Sequence, residues 1–362
     1  MSVYRFSTPV ISALVMSILA VGAEAALFHP ASFPATTAFN SVPGAYEINT
    51  DALQMIGPGG FSSPGVLSNG AAVFSFTNFL LGNGATITTT GDRPAAILSQ
   101  SDMIVAGGGV IARAAGGLRG GPSQRGRGQG GGFPGSGFFG GAGGGGGYGG
   151  PGGRGQLDDF SNPGAGGPAY GDISTFFLGG SGGGGSSSGS VAASSSGGDG
   201  GGAIELGAVD FMLIAGNGVR AEGLSGSGTG FEGGGGGSGG GIRLHANQII
   251  NTTTISAAGG RGGVGTFENG GGGGGGRILI TFGSGGFLDL GTTTARGGFG
   301  GSSFFGAGTP GTDGVITIVP EPATAIHLLT GLAAALATAA RLRRRSALAG
   351  TTPTGAAITS AI

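Results

Sequence analysis

The chain has 362 residues, including 94 Gly and 16 Pro, and its 16 Lys+Arg against 17 Asp+Glu give a net charge of −1. Gly and Pro together reach the range that marks low-complexity chains, so any core must come from apolar runs set between the glycines. All the basic residues are Arg and there is no Cys, which excludes a disulfide framework and thiolate metal sites.

From the N-terminus, Arg5 precedes the apolar run Val10–Val21, and Ala23-Glu24-Ala25 is a small-x-small cleavage site. Residues 1–25 read as a signal peptide for the secretory translocon, with the mature chain starting at Ala26. Without Arg5, Glu24 and the four arginines near the C-terminus, eleven Arg face sixteen acidic residues, about −5. Such a surface does not hold nucleic acid or anionic polysaccharide through bulk charge. Residues 26–70 read as a lead-in that caps the first open strand edge.

Residues 71–116 hold two compact three-strand units. The first is Val73–Phe76, Phe79–Leu81 and Thr86–Thr89; the second is Ala96–Leu98, Met103–Ala106 and Val110–Arg113. Residues 117–200 are dominated by Gly, with only Asp172–Leu178 fit to pair as a strand, and read mostly as a flexible insertion between coils, with an ordered loop stacked on the solenoid as the alternative for part of it. Residues 201–318 return to the unit, beginning with Ala203–Leu206, Phe211–Ile214 and Gly218–Ala221, each unit now followed by a glycine excursion of about 17 residues.

Ile204, Ile242, Ile278 and Ile316 recur at spacings of 38, 36 and 38, and Phe231-Glu232 recurs as Phe267-Glu268. Strands this short cannot bury a face alone, so units must stack. Alternation turns Ile204 and Leu206 inward and Glu205 outward, and likewise Ile242 and Leu244 inward and Arg243 and His245 outward. Glu205 and Arg243 then face solvent on adjacent coils roughly 5 Å apart. The expected fold is all-β: a right-handed parallel β-helix, or solenoid, with Gly-rich loops. The pattern resembles the glycine-rich repeats of bacterial secreted β-helix proteins.

Catalytic chemistry is sparsely provided for. Glycine runs without Lys cannot form a P-loop, and Gly234–Gly241 and Gly270–Gly276 lack the Asp of calcium-binding repeats. His245 has no nucleophile motif to serve. Asp210, Arg220 and Glu222 would suit a polysaccharide lyase or hydrolase if they lined one groove, and solvated surface charge if they did not. The Thr tracts Thr88–Thr90, Thr252–Thr254 and Thr292–Thr294 fit exposed strand faces. No catalytic residue, metal site or cofactor is expected.

The C-terminus is the most informative stretch. Val319-Pro320-Glu321-Pro322 runs into an apolar segment that ends at Arg341, Arg343, Arg344 and Arg345. The prolines favour extended backbone, which suggests an unpaired strip open to a processing enzyme. Ala323–Ala340, as a helix, would reach roughly 27 Å, barely a transmembrane span, and the arginines mark its cytoplasmic stop. These parts, residues 319–345, resemble the PEP-CTERM sorting signal of Gram-negative bacteria. The polar residues 346–362 beyond the basic cluster depart from it.

That resemblance implies an exosortase-type processing enzyme as partner, an inner-membrane precursor, and release to the cell surface or the exopolysaccharide of a biofilm matrix. The mature body is then expected to be a structural or adhesive component, with extracellular polysaccharide as a further partner. A permanently anchored adhesin and a glycan-acting enzyme are the alternatives.

Overall fold

A computed structural model describes residues 28–321 apart from 36, 114–116, 138–139, 158–160, 188–194 and 229. Cleavage residues Ala23, Ala25 and Ala26, the apolar segment, Pro322 and Arg341–Arg345 lie outside the described residues. Among the described residues the chain is all-β, with two short 3₁₀ turns and no helix long and apolar enough to cross a membrane.

The first strands are β1 (Phe39–Asn40), β2 (Gly44–Asn49), β3 (Gln54–Ile56), β4 (Ser62–Pro64) and β5 (Val66–Ser68). Two triplets follow: β6 (Ala71–Phe76), β7 (Phe79–Leu81) and β8 (Ala85–Thr90), then β9 (Ala95–Ser99), β10 (Met103–Val105) and β11 (Gly109–Ile111). Among its described residues, the glycine-rich segment contributes the small pair β12 (Ser136–Gly137) and β13 (Ser161–Asn162). Strands resume with β14 (Ala203–Ala208), β15 (Phe211–Ile214), β16 (Gly218–Arg220), β17 (Gly241–Asn251) and β18 (Thr254–Ser256). The last are β19 (Arg277–Asp289), β20 (Thr292–Thr294), β21 (Ser302–Ser303), β22 (Gly306–Ala307) and β23 (Val315–Pro320).

Strands at the same place in successive units pair in parallel, giving three ladders. One runs β6, β9, β14, β17, β19, β23. A second runs β1, β7, β10, β15 and the far halves of β17 and β19. A third runs β2, β8, β11, β16, β18, β20. Ile204, Ile242, Ile278 and Ile316 are register partners in the first ladder. The inward columns meet in one core, in which Ile204, Met212, Val219, Ile242 and Ile255 are fully buried. Each such side chain contributes about 1.5–3 kcal/mol.

From β6 to the first half of β19 the first ladder is largely buried on both faces, while its last strand, β23, is exposed. All six residues of β14 are buried, because Phe28, Phe33 and Phe177 pack on its outer side with Val73, Ala96 and Leu98. Asp172–Leu178, expected as a strand, instead holds a turn at residues 173–175; its Phe177 joins this cover and Ile173 is buried.

The glycines build the other half of the protein. The three excursions close with the same bond: the N–H of Gly240, Gly276 and Gly314 donates to the carbonyl of Ala221, Ala257 and Ala295, each 19 positions earlier. Along one return arm the bonds point in three directions in turn. Gly233, Gly236 and Gly239 donate to Glu268, Gly271 and Gly274 of the next excursion. Gly234, Gly237 and Gly240 donate to Ser227, Leu224 and Ala221 of their own outgoing arm, while Gly235 and Ser238 donate to Gly184 and Ser181.

A direction that repeats every third residue is that of an extended three-residue-per-turn helix, here bonded sideways to its neighbours. The described residues of 117–187 and 195–200 supply further arms, joined to the same layer by backbone hydrogen bonds. Burying bare backbone is tolerable only because these N–H groups find carbonyls. The spacing admits no side chain: a Cβ on Gly237 would meet the carbonyl oxygen of Asp199, and one on Gly145 that of Gly272.

Candidate functional site

The described part of the Val-Pro-Glu-Pro stretch, Val319 to Glu321, forms the end of β23. Val319 pairs with Thr281 and Pro320 with Phe282, and the Glu321 N–H donates to the Phe282 carbonyl at 2.7 Å. The expectation of an unpaired strip is therefore corrected for the described residues: Val319 and Pro320 pair in the ladder and the Glu321 N–H is still bonded to it. Pro320 is compatible with this because β23 has a neighbour on one side only, and a missing N–H is tolerated at such an edge. Val319 lies in the outer column that contains Leu98, Gly207, His245 and Thr281.

Glu205, Arg243 and His245 were expected on a solvated face, and this too is corrected. Glu205 and Arg243 are register partners, but all three side chains are buried beneath the N-terminal segment. Glu205 Oε1 lies 3.0 Å from His245 Nε2 and accepts the Phe28 N–H at 3.1 Å, and Glu205 Oε2 is 3.5 Å from Arg243 Nη1. Gly207 makes the His contact possible, since a Cβ there would strike the imidazole. Arg243 also faces the Phe177 ring, 6.0 Å from its centroid. Removal of these charges from water is offset by their mutual pairing, so the group fixes how residues 28–33 and 172–178 sit on the ladder.

The structure brings Arg220 and Glu222 together and leaves Asp210 apart. Arg220 Nη1 is 3.4 Å from Glu222 Oε1, which also accepts from Ser256 Oγ. Asp210 lies at the β14–β15 turn on the first sheet, whereas Arg220 ends β16 on the second. Glu222 and Arg113 line a recess of about 100 Å³, well under the ~300 Å³ at which small-molecule pockets begin. Of the Thr tracts, Thr254 and Thr292 share a register column, but the β8 residue in that column is Thr86.

Two features escaped the sequence reading. Glu232 and Glu268, noted only as landmarks, form a parallel bridge between excursion tips and are both buried. Burial holds the Glu232 carboxyl above its ordinary value, and Glu268 Oε2 accepts the Ala142 N–H at 3.0 Å. Beside them Phe231, Phe267 and Phe305 form a half-exposed file with ring centroids 5.2 and 5.4 Å apart. The 36-residue recurrence of Phe-Glu was the available signal for both.

The second feature is Tyr148, buried where the glycine layer meets β19, 5.0 Å from the Tyr170 ring, with Arg277 5.6 Å from its centroid. Desolvation pushes its hydroxyl well above the usual range. Among the described residues no group of three or more His, Cys, Asp or Glu could hold a metal ion. No protein-family model, curated protein or solved structure matches the chain.

Proposed function

We propose that this chain is an exported structural or adhesive protein of the cell surface or extracellular matrix, sorted by its C-terminal tail. Its body is read as a right-handed parallel β-helix that carries a polyglycine layer on one side. The observation that carries the sorting reading is the order of parts at the end of the chain. A paired strand runs through Pro320 to Glu321, and Pro322, an apolar segment and four arginines follow directly. A motif at the very edge of the folded body suits a membrane-side processing enzyme of the exosortase type: the body stays intact on one side and the tail is removed on the other.

A non-catalytic body is supported by how the chain spends its polar groups. The buried charges join segments of the fold, and Arg220 and Glu222 bond to each other and to Ser256. The net negative surface argues for contact with neutral glycan or protein over nucleic acid.

Intact mass and terminal peptides of the protein taken from its own cell surface or medium test the reading. A product starting at Ala26 and ending near Pro322 supports sorting and release. One that keeps Ala323–Ile362 in the membrane fraction overturns release and leaves an anchored adhesin.

A further inference from the structure

Along β6, successive residues turn their backbone groups to opposite edges. The Ala72 N–H donates to the Pro94 carbonyl and the Phe76 carbonyl accepts the Gln100 N–H, so the even positions serve β9. Val73, Ser75 and Thr77 face the other edge. There Val73 meets Val66 of β5, and the Thr77 N–H donates to the Thr37 carbonyl at 2.9 Å. Between these two contacts the Ser75 N–H and carbonyl have no backbone partner among the described residues. The cause is in the sequence. Continued past Val66, the β5–β6 register would bring Pro64 opposite Ser75, and Pro64 has no N–H to offer. The chain turns away instead: the Gly65 N–H donates to the Leu53 carbonyl, and Pro64 pairs with Gln54 of β3. A short slot is left in the sheet.

Over the slot lies a recess of about 530 Å³, inside the roughly 300–1,000 Å³ of small-molecule sites. Val73 and Ser75 form its floor, and Phe33, Pro34, Phe61 and Pro64 stand in its walls. Those walls are anchored. The Phe33 carbonyl accepts from Gln100 Nε2 at 2.7 Å and from Ser75 Oγ at 3.4 Å. The Phe61 ring packs edge-on against Phe39 and Tyr46, with centroids 5.2 and 5.6 Å away. The Thr37 and Ser63 hydroxyls also line the recess and have no hydrogen bond to any described residue.

We propose that this recess grips a neutral glycan, with one sugar unit seated over Ser75. Among the described residues no ionisable side chain lines it, so a charged ligand would leave water without a counter-charge. A peptide strand is excluded by shape: β5 closes the slot at Val73 and Thr37 closes it at Thr77, whereas strand addition needs a longer open edge. A sugar ring meets what is left. Its hydroxyls both donate and accept, as the Ser75 N–H, the Ser75 carbonyl, Thr37 and Ser63 require, while its C–H faces cover the Phe and Pro walls. Export brings the chain to such glycans, and in that respect the site rests on the proposed function.

The exported protein, purified from its own cells, is titrated in a calorimeter with glucose, galactose and mannose and with neutral oligosaccharides of each. Oligogalacturonate and oligoalanine are the charged and peptide probes. The expected result is heat from at least one neutral oligosaccharide, bound more tightly than its monosaccharide, and none from the other two probes. Thr37→Trp, which fills the recess from its exposed rim, should abolish that heat. Ser63→Ala should weaken binding about 2–10-fold by removing one hydrogen bond. Thr88→Trp, on the separate outer face of β8, should leave binding unchanged.

Thermal melts show whether each variant is folded, and Ser63→Ala carries the test if Thr37→Trp is not. Intact mass of the same preparation reports on the tail, so a failure of sorting and a failure of binding are read separately. Silence toward every neutral sugar overturns the inference. So does heat that survives Thr37→Trp in a folded chain, or an affinity that Ser63→Ala does not change. Equal affinity for monosaccharide and oligosaccharide replaces the glycan with a free sugar, and heat from oligoalanine or oligogalacturonate alone removes the sugar altogether.

Discussion

Glu205 Oε1 stands 3.0 Å from His245 Nε2 on the adjacent strand, and its other oxygen stands 3.5 Å from Arg243 Nη1, in a place almost without solvent. Paired, these charges hold the N-terminal segment against the ladder. Unpaired, each would be a charge in an apolar surround. Arg243→Met is expected to lower unfolding free energy by about 3–5 kcal/mol, because Glu205 remains buried without the guanidinium beside its Oε2. Adding Glu205→Leu should restore much of that loss. Urea unfolding of the single and double variants checks both, and a double variant less stable than Arg243→Met would contradict the account.

The glycine layer should be intolerant of one methyl group where arms touch. Gly237→Ala places a Cβ against the Asp199 carbonyl, and overpacking of this kind costs about 1–3 kcal/mol or more. Gly70→Ala meets open space and carries only the penalty of a positive φ, about 1–2 kcal/mol. Thermal melts of the pair should rank Gly237→Ala below Gly70→Ala.

Glu232 gives the fold a pH dependence with a definite sign. Burial raises its folded pKa above the ordinary 4.5, so the folded chain holds this proton more tightly than the unfolded one. The stability linked to that proton is full below about pH 4.5 and is lost as pH rises through the folded pKa. Asp172 acts oppositely: the Ser174 N–H and then its hydroxyl hold it below 3.8, so its contribution is present above that value and lost as pH falls. Glu232→Gln should reduce the decline in melting temperature between about pH 4 and about pH 8, and an unchanged slope would remove Glu232 as its source.

Under the proposed sorting reading, Glu321 and Pro322 should act without supporting the fold. Replacing Glu321 and Pro322 together by Ala is expected to keep the tail on the chain, in the membrane fraction, with a melting temperature within a degree or so of the parent. Fractionation with intact mass reads the first effect and a thermal melt the second. A tail removed as before would detach these residues from processing.

The inner columns were legible because spacing and alternation report them directly: Ile204, Ile242, Ile278 and Ile316 align by counting alone. The outer face was not. Alternation assigns Glu205 and Arg243 to solvent, and nothing near them shows that Phe28 and Phe177 come from distant parts of the chain to cover them. The glycine layer was hidden for a different reason. Its arms carry no side-chain pattern, so composition left a flexible insertion and a stacked loop both open, whereas the arms are joined by backbone bonds. The pairing of Val319 and Pro320 was missed because local proline chemistry fixes extension but says nothing about a neighbouring strand.

The three-residue turn of the glycine arms makes their length count in whole steps. Adding or removing three residues slides an arm by one turn and returns every later donor to its former carbonyl direction. Adding one or two rotates the remainder by a third or two thirds of a turn, so that each subsequent N–H faces the wrong neighbour. Slippage in such a monotonous stretch would therefore be filtered by arithmetic as well as by chemistry. The closures at Gly240, Gly276 and Gly314 all keep one count, 19 positions.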